Sequence, residues 1–392
     1  GLSAIYELNY QISMKKIIYR QLAKECTIFF FLTLFTISII IWVLQAVNYL
    51  DFVIEDGHGF LVYFNYTILS FPKIFSRIYP FAIFLAFSYT FLKYEEKNEL
   101  IVFWHFGIKK ITFINFFIKF SLIFVFLSLL LNAFIAPFTQ DKARSFIRSS
   151  DLDFFENILK PKKFVDVIKN LTIYFDKKNV NGDLESIFLN DKSDSKNSQT
   201  IFAKKGVFEN RKYKKVLVLY DGITINNING KISKFTFDKT DFNISKFSSS
   251  TVTHQKIQET PTTELIKCIL ALNKMKINLV NKSEISKLNN CRPQSLQNIY
   301  EEVYSRLIKP FYITCLISIS LLLILRSKND HTFKKYKYKI YFFGFLFVIF
   351  LESSSKFIST SLIKNLSLSS MPIFFVIVLY LYFLQNLKVN KK

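Results

Sequence analysis

Residues 26–50 read CTIFFFLTLFTISIIIWVLQAVNYL, twenty-five consecutive positions without an Asp, Glu, Lys or Arg. A bilayer core about 30 Å thick is crossed by about 20 apolar residues in a helix, so this stretch is long enough to span a membrane. It is also longer than the apolar region of a signal peptide, and no small-residue cleavage site follows it. Five further blocks have the same character. Residues 57–92 carry only Lys73 and Arg77, residues 120–140 and 310–325 are uncharged, residues 340–351 run into Glu352 and Lys356, and residues 365–387 are uncharged. The pattern predicts six spans, three on each side of a polar middle. Composition agrees: 51% of the 392 residues are hydrophobic and 46 are Phe, which disfavours disorder and an ordinary soluble enzyme.

The formal charge of +23 raises the question of nucleic acid, and its placement answers it. The loops on one side of the expected spans hold seventeen Lys and Arg: Lys15, Lys16, Arg20, Lys24, Lys93, Lys97, Lys109, Lys110, Arg326, Lys328, Lys334, Lys335, Lys337, Lys339, Lys388, Lys391 and Lys392. The loops on the other side hold only Lys364. Cytoplasmic loops carry the basic excess, so both termini are expected in the cytoplasm, the polar middle outside it, and no nucleic acid as partner. Met14 opens a Met-Lys-Lys-Ile stretch, and residues 1–13 are read as a leader or added segment.

The polar middle changes period. Leu171, Ile173 and Phe175 alternate with Thr172 and Tyr174, and residues 216–220 form a short aliphatic run. Asn181-Gly182, Asp221-Gly222 and Asn229-Gly230 are dipeptides that tolerate the positive φ of tight hairpins. Residues 164–247 therefore read as an antiparallel sandwich, jelly roll or open barrel. Helical spacing follows over residues 262–286, with Thr262 as a cap, and over residues 295–309 leading into span 4. Cys268 and Cys291 fall on the oxidising side, where a disulfide and two buried thiols are both open to them.

Catalytic signals are lacking. His58, His105, His254 and His331 lie in four different segments, no CxxC, GxSxG or HExxH occurs, and no Walker loop is present. The informative residues are charges within apolar segments, which are costly in a bilayer and mark functional sites. Lys73 and Arg77 stack at i, i+4 in span 2, about 20 residues from Lys93 and hence near the outer headgroup plane. Arg306 and Lys309 reach that level from span 4, and Lys356 from span 5. These five are the candidate lipid contacts. Snorkelling is the plain alternative for Lys73 and Arg77, and a Glu352–Lys356 pair within one helix is the alternative for the last of the five. On the cytoplasmic side, residues 93–110 read KYEEKNELIVFWHFGIKK. Charges beside Leu100, Ile101, Phe103, Trp104 and Ile108 fit a short interfacial helix that lies on lipid or docks into a partner's groove.

These stretches carry a resemblance. MKKIIYRQLAKE, WVLQAVNYLDFV, FPKIFSRIYPFAIFLAF, NELIVFWHFGIKK, SQTIFAKKGVFEN, EVYSRLIKPF and LLLILRS, in this order, are similar to the permease family of the lipopolysaccharide-export ABC transporter (LptF/LptG type), and more to its F-type subunit. The resemblance implies an α-helical integral membrane protein with six transmembrane helices (3+3) and an inserted periplasmic all-β jellyroll-like domain. It implies a bacterial inner-membrane location, a paralogous G-type permease, an ABC ATPase dimer, a periplasmic bridge with membrane-anchored export proteins, and lipopolysaccharide as cargo. ATP and Mg would be used by the ATPase, with no cofactor bound by this chain. Glu99 matches the family's acidic coupling position, and Glu95, Asn98, Leu100, Trp104, Gly107 and Ile108 complete the expected ATPase-coupling set. Trp104 and His105 depart from the small residues often found there.

The expected organisation is residues 14–140 for spans 1–3 with a coupling helix at about 95–110, 141–260 for the β domain, 261–305 for a helical connector and 306–392 for spans 4–6. Three other readings fit less well. A lipoprotein-release or mechanotransmission permease usually inserts its outer domain after the first span rather than the third. A membrane-embedded lipid-modifying enzyme needs a convergent acid, base or nucleophile, and a sensor or scaffold would lack an ATPase partner.

Overall fold

The computed structural model describes residues 2–50, 60–150, 161–168, 171–179, 183–194, 197–211, 214–228, 231–243, 256–276 and 291–389. Among the described residues six helical stretches are long and apolar enough to cross a membrane: Lys15–Asn48, Phe60–Glu96, Lys110–Ile147, Pro293–Leu325, Phe333–Phe357 and Ile363–Leu387. An antiparallel sheet is inserted between the third and the fourth. The chain divides into two compact units, one of residues 1–44, 69–141 and 255–392, the other of residues 45–68 and 142–254.

In the first unit, α1 (Leu2–Asn48) carries span 1 and α2 (Phe60–Glu96) span 2; the short α3 (Leu100–His105) leads into α4 (Lys110–Leu130). A π-turn at Leu131–Ile135 joins α4 to α5 (Ala136–Ser150), completing span 3. Span 4 is built from α7 (Leu296–Leu307) and α8 (Tyr312–Leu321), interrupted by a 3-10 turn, Lys309–Phe311, where Pro310 supplies no N–H. All ten residues of α8 are buried. Small hydroxyl residues let neighbouring helices approach it: the Ser88 and Ser320 hydroxyls lie 2.8 Å apart between spans 2 and 4, and Ser121 donates to Thr314 at 3.0 Å between spans 3 and 4. Span 5 is α9 (Phe333–Ser354) and span 6 is α10 (Leu362–Val389). Spans 2 and 5 meet where Gly344 faces Phe84, whose ring lies 2.0 Å from where a Cβ would be. The connector helix α6 (Thr262–Lys276) packs Leu265, Cys268 and Leu272 against Cys291, Leu296 and Ile299 at the start of α7. Cys268 and Cys291 are disulfide-bonded, which closes the choice left open by the sequence.

The second unit holds seven strands: β1 (Val165–Ile168), β2 (Leu171–Tyr174), β3 (Lys177–Lys178), β4 (Leu184–Asp194), β5 (Asn197–Arg211), β6 (Lys214–Ile228) and β7 (Lys231–Asn243). Their order is β1-β2-β4-β5-β6-β7, with β3 also on β4, so sequential strands are spatial neighbours. Leu171, Ile173, Leu189, Ile201 and Leu217 form the core on one face.

This sheet is creased. Pairing joins Glu185 to Lys205 and Ile187 to Ala203, then Lys205 to Tyr220 and Ala203 to Gly222, then Tyr220 to Lys239 and Gly222 to Phe237. One transverse row, Ser186, Lys204, Asp221 and Asp238, is stepped over in β4, β5, β6 and β7. Ser186 and Asp221 there have φ of 54° and 48°. Core-facing residues accordingly advance by three across the row (Leu184 to Ile187, Ala203 to Gly206) instead of two. The expectation of a hairpin turn at Asp221-Gly222 is therefore corrected: the dipeptide's tolerance of positive φ serves a kink in the middle of β6. Gly222 has no room for a side chain, since a Cβ would lie 2.4 Å from the Phe202 carbonyl oxygen. The expected turns at Asn181-Gly182 and Asn229-Gly230 lie outside the described residues, as do His58, His254 and residues 277–290 of the expected connector helix.

Candidate functional site

At the connector end of the bundle, Lys73 and Arg77 share a face of α2, and their environments differ. Lys73 donates to the Gln258 side-chain oxygen at 3.2 Å. Arg77 is exposed and has no acidic partner among the described residues. Arg306 is only 2% exposed. Its Nε donates to Glu302 at 2.8 Å, its Nη1 to the Thr260 carbonyl at 2.8 Å and the Thr262 hydroxyl at 3.0 Å, and its Nη2 to the Gln258 carbonyl at 2.9 Å. The guanidinium fork suits this convergence of acceptors. Thr262 in turn donates to the Ala133 carbonyl inside the π-turn of span 3. The hydroxyl thus takes up a carbonyl within the altered helical ladder, as an inserted side chain does at a π-bulge, and it does not cap its own helix.

Lys309 and Lys356 are also paired within the chain. Lys309 meets Glu352 at 3.2 Å and Lys356 meets Glu301 at 3.3 Å. The expected Glu352–Lys356 pairing along one helix is replaced by two pairings between span 5 and span 4. Of the five candidate cations, Arg306 is held entirely by protein, Lys309 and Lys356 have carboxylate partners, Lys73 has a neutral partner, and Arg77 faces outward.

The opposite end carries the expected coupling segment. Asn98 (φ 62°) and Gly107 (φ 70°) bracket α3 in left-handed conformations, which Gly and Asn adopt at least cost. Leu100, Phe103 and Ile108 are buried, whereas Ile101, Val102 and His105 are exposed. Leu100 and Ile108 therefore anchor the segment, and the apolar surface it presents is Ile101 and Val102. Trp104 lies 5.8 Å from the Phe113 ring, and the Lys110 ammonium lies 5.6 Å from the centre of its indole. Glu99 precedes α3 and makes no side-chain capping bond. Glu95 accepts the Lys328 backbone N–H at 2.8 Å, Glu96 pairs with Lys337 at 3.0 Å, and Lys110 donates to the Ile324 carbonyl at 3.0 Å. Asp330 turns the chain into α9, and the Thr332 backbone N–H and hydroxyl hold its carboxyl below the usual range.

Glu25 was missed in the sequence because it sits one residue before the uncharged block. It accepts from Tyr94 at 2.8 Å and from Lys93 at 3.1 Å, tying span 1 to span 2 beside the coupling segment. These contacts tie the ends of spans 1 to 5 to one another around the coupling segment, with Trp104 joining α3 to the start of span 3, an arrangement suited to passing on mechanical force. Among the described residues no group of three His, Cys, Asp or Glu is placed to hold a metal ion.

The model of the lipopolysaccharide export system permease LptF/LptG family matches residues 20–386, reaching across both groups of spans and the sheet. The chain is also similar to an uncharacterized protein, RP871, of Rickettsia prowazekii (strain Madrid E), with 21% identity over 225 residues. That similarity covers 57% of this chain and 62% of the relative, less than two thirds of its length.

Proposed function

The chain belongs to the lipopolysaccharide export system permease LptF/LptG family, and on that premise we propose that it is the F-type permease subunit of a transporter that extracts lipopolysaccharide from the outer leaflet of the inner membrane. The observation that carries this reading is the continuous family match over residues 20–386. A G-type permease completes the cavity, an ABC ATPase dimer drives it, and the β domain passes the lipid to a periplasmic bridge. β7, an edge strand of the sheet among the described residues, suits continuation into a partner's sheet.

The direction of transport follows from the orientation, with both termini cytoplasmic and the β domain periplasmic. The bonded Cys268 and Cys291 support it, because disulfides persist in oxidising compartments. With Cys26 and Cys315 replaced, single cysteines at Lys178 and Lys231 are expected to react with an impermeant maleimide from the periplasm, and one at Asn329 to stay unlabelled. The reverse pattern would overturn the orientation.

Lys73 and Arg77 contact the anionic headgroup, with Lys309 and Lys356 at the margin and Arg306 as the support beneath. Hydrogen bonds between charged groups are shorter and roughly twice as strong as those between neutral groups, which favours phosphate over neutral ligands. At the other end, α3 docks the ATPase through Ile101, Val102 and Glu99. In the reconstituted transporter, Glu99→Lys is expected to leave ATP hydrolysis running while lipid release falls at least tenfold, about 1.4 kcal/mol in coupling. Wild-type release together with wild-type hydrolysis would remove Glu99 from the coupling role.

A further inference from the structure

Lys73 is hydrogen-bonded to a neutral side chain in a position where the proposed lipid phosphate would also reach it. Its ammonium donates to the Gln258 Oε1 at 3.2 Å, across 185 residues of sequence. Gln258 is an exposed residue whose main chain is fixed, because its carbonyl accepts from the Arg306 Nη2 at 2.9 Å. The same guanidinium holds the Thr260 carbonyl and the Thr262 hydroxyl on either side of Pro261. Thr262 is anchored to the π-turn of span 3 through Ala133, and α6 beyond it is bonded to the start of α7 through Cys268–Cys291. The backbone carrying Gln258 is thus clamped to spans 3 and 4, and its side chain reaches span 2.

From this geometry we propose that Gln258 is a positioning residue that parks Lys73 in the empty transporter and surrenders it to an anionic phosphate headgroup on binding. The inference rests on the reading of Lys73 as a lipid contact. A neutral amide oxygen is the weaker partner, because it offers the ammonium only a dipole, whereas phosphate offers the same ammonium a full opposite charge as well as acceptor oxygens. The exchange therefore favours phosphate while setting a threshold that a carboxylate at the same place would raise. Arg77, one turn along the same face and without an acidic partner among the described residues, adds a second cation on the phosphate's side. Because Arg306 holds the main chain, the exchange needs only a side-chain rotation of Gln258, and the clamp stays in place.

The test uses the complete transporter complex with a photocrosslinker at Phe81, one turn beyond Arg77, titrated with purified lipopolysaccharide. Gln258→Glu gives Lys73 a charged competitor, so the concentration for half-maximal capture is expected to rise roughly two- to fivefold, the range of an exposed ion pair. Gln258→Ala removes the competitor, and capture is expected at the wild-type concentration or below it. In a Lys73→Ala background the effect of Gln258→Glu is expected to vanish, which a merely structural role of Gln258 would not produce. Equal shifts for Glu and Ala, or an undiminished Gln258→Glu shift without Lys73, would overturn the parking role while a weakened Lys73→Ala keeps the lipid contact. Wild-type capture by Lys73→Ala would overturn both.

Discussion

Replacing Arg306 with Leu is expected to destabilise the chain by about 3–5 kcal/mol, the cost of breaking a buried charged network by removing one partner. The Thr260 and Gln258 carbonyls, the Thr262 hydroxyl and the Glu302 carboxylate all lose their donor at once. Arg306→Lys should recover part of the loss, because one ammonium has three donors and no planar fork with which to reach acceptors on both sides. Thr262→Val is the calibrating variant and should cost about 1–2 kcal/mol, since it removes one hydroxyl from the middle of the chain between Arg306 and Ala133. The measurement is the thermal midpoint of the purified chain in detergent. Arg306→Leu with a wild-type midpoint would mean that the guanidinium is not the clamp between the connector and the bundle.

Gly344→Leu is the second large effect, and it comes from sterics. The nearest atom of the Phe84 ring lies 2.0 Å from the Cβ position, and Phe84 is 1% exposed with Tyr341 beside it, so the ring has no free space to enter. Overpacking of this kind typically costs about 1–3 kcal/mol and here must also push spans 2 and 5 apart. Adding Phe84→Ala should restore most of the lost thermal stability, because it vacates the volume that the introduced leucine side chain would occupy. Failure of that second change to rescue would place the defect elsewhere in α9.

The six spans and the inserted sheet were legible because each rests on a local pattern, uncharged blocks for the helices and alternation for β2. The crease was not. It inserts one residue in phase into four neighbouring strands, so alternation breaks at Ser186 and again at Asp221, and Asp221-Gly222 looks like a turn until its neighbours' register is known. Arg306 misled for a different reason. A cation one turn before Pro310 fits a headgroup ligand, and besides Glu302 and the Thr262 hydroxyl its partners include main-chain carbonyls 46 and 48 residues away, which leave no residue signature. Lys356 had a visible acidic candidate in Glu352 four residues before it, and the assignment changed because Glu301 lies across from Lys356 while Glu352 pairs with Lys309. Glu25 went unnoticed because a charge at the border of a span reads as an ordinary end residue.

In the proposed transport cycle lipopolysaccharide enters beside span 2 and moves, at the expense of ATP, to the β domain. Photocrosslinkers at Phe81 and at Phe237, which packs on the core of the sheet, test it most directly in the reconstituted complex with its ATPase and both permeases. Capture is expected at Phe81 without nucleotide, and at Phe237 only after ATP is added, with its loss when the ATPase is hydrolysis-deficient. Capture at Phe237 that is independent of ATP, or no capture at either position by an assembled and hydrolysing complex, would contradict it.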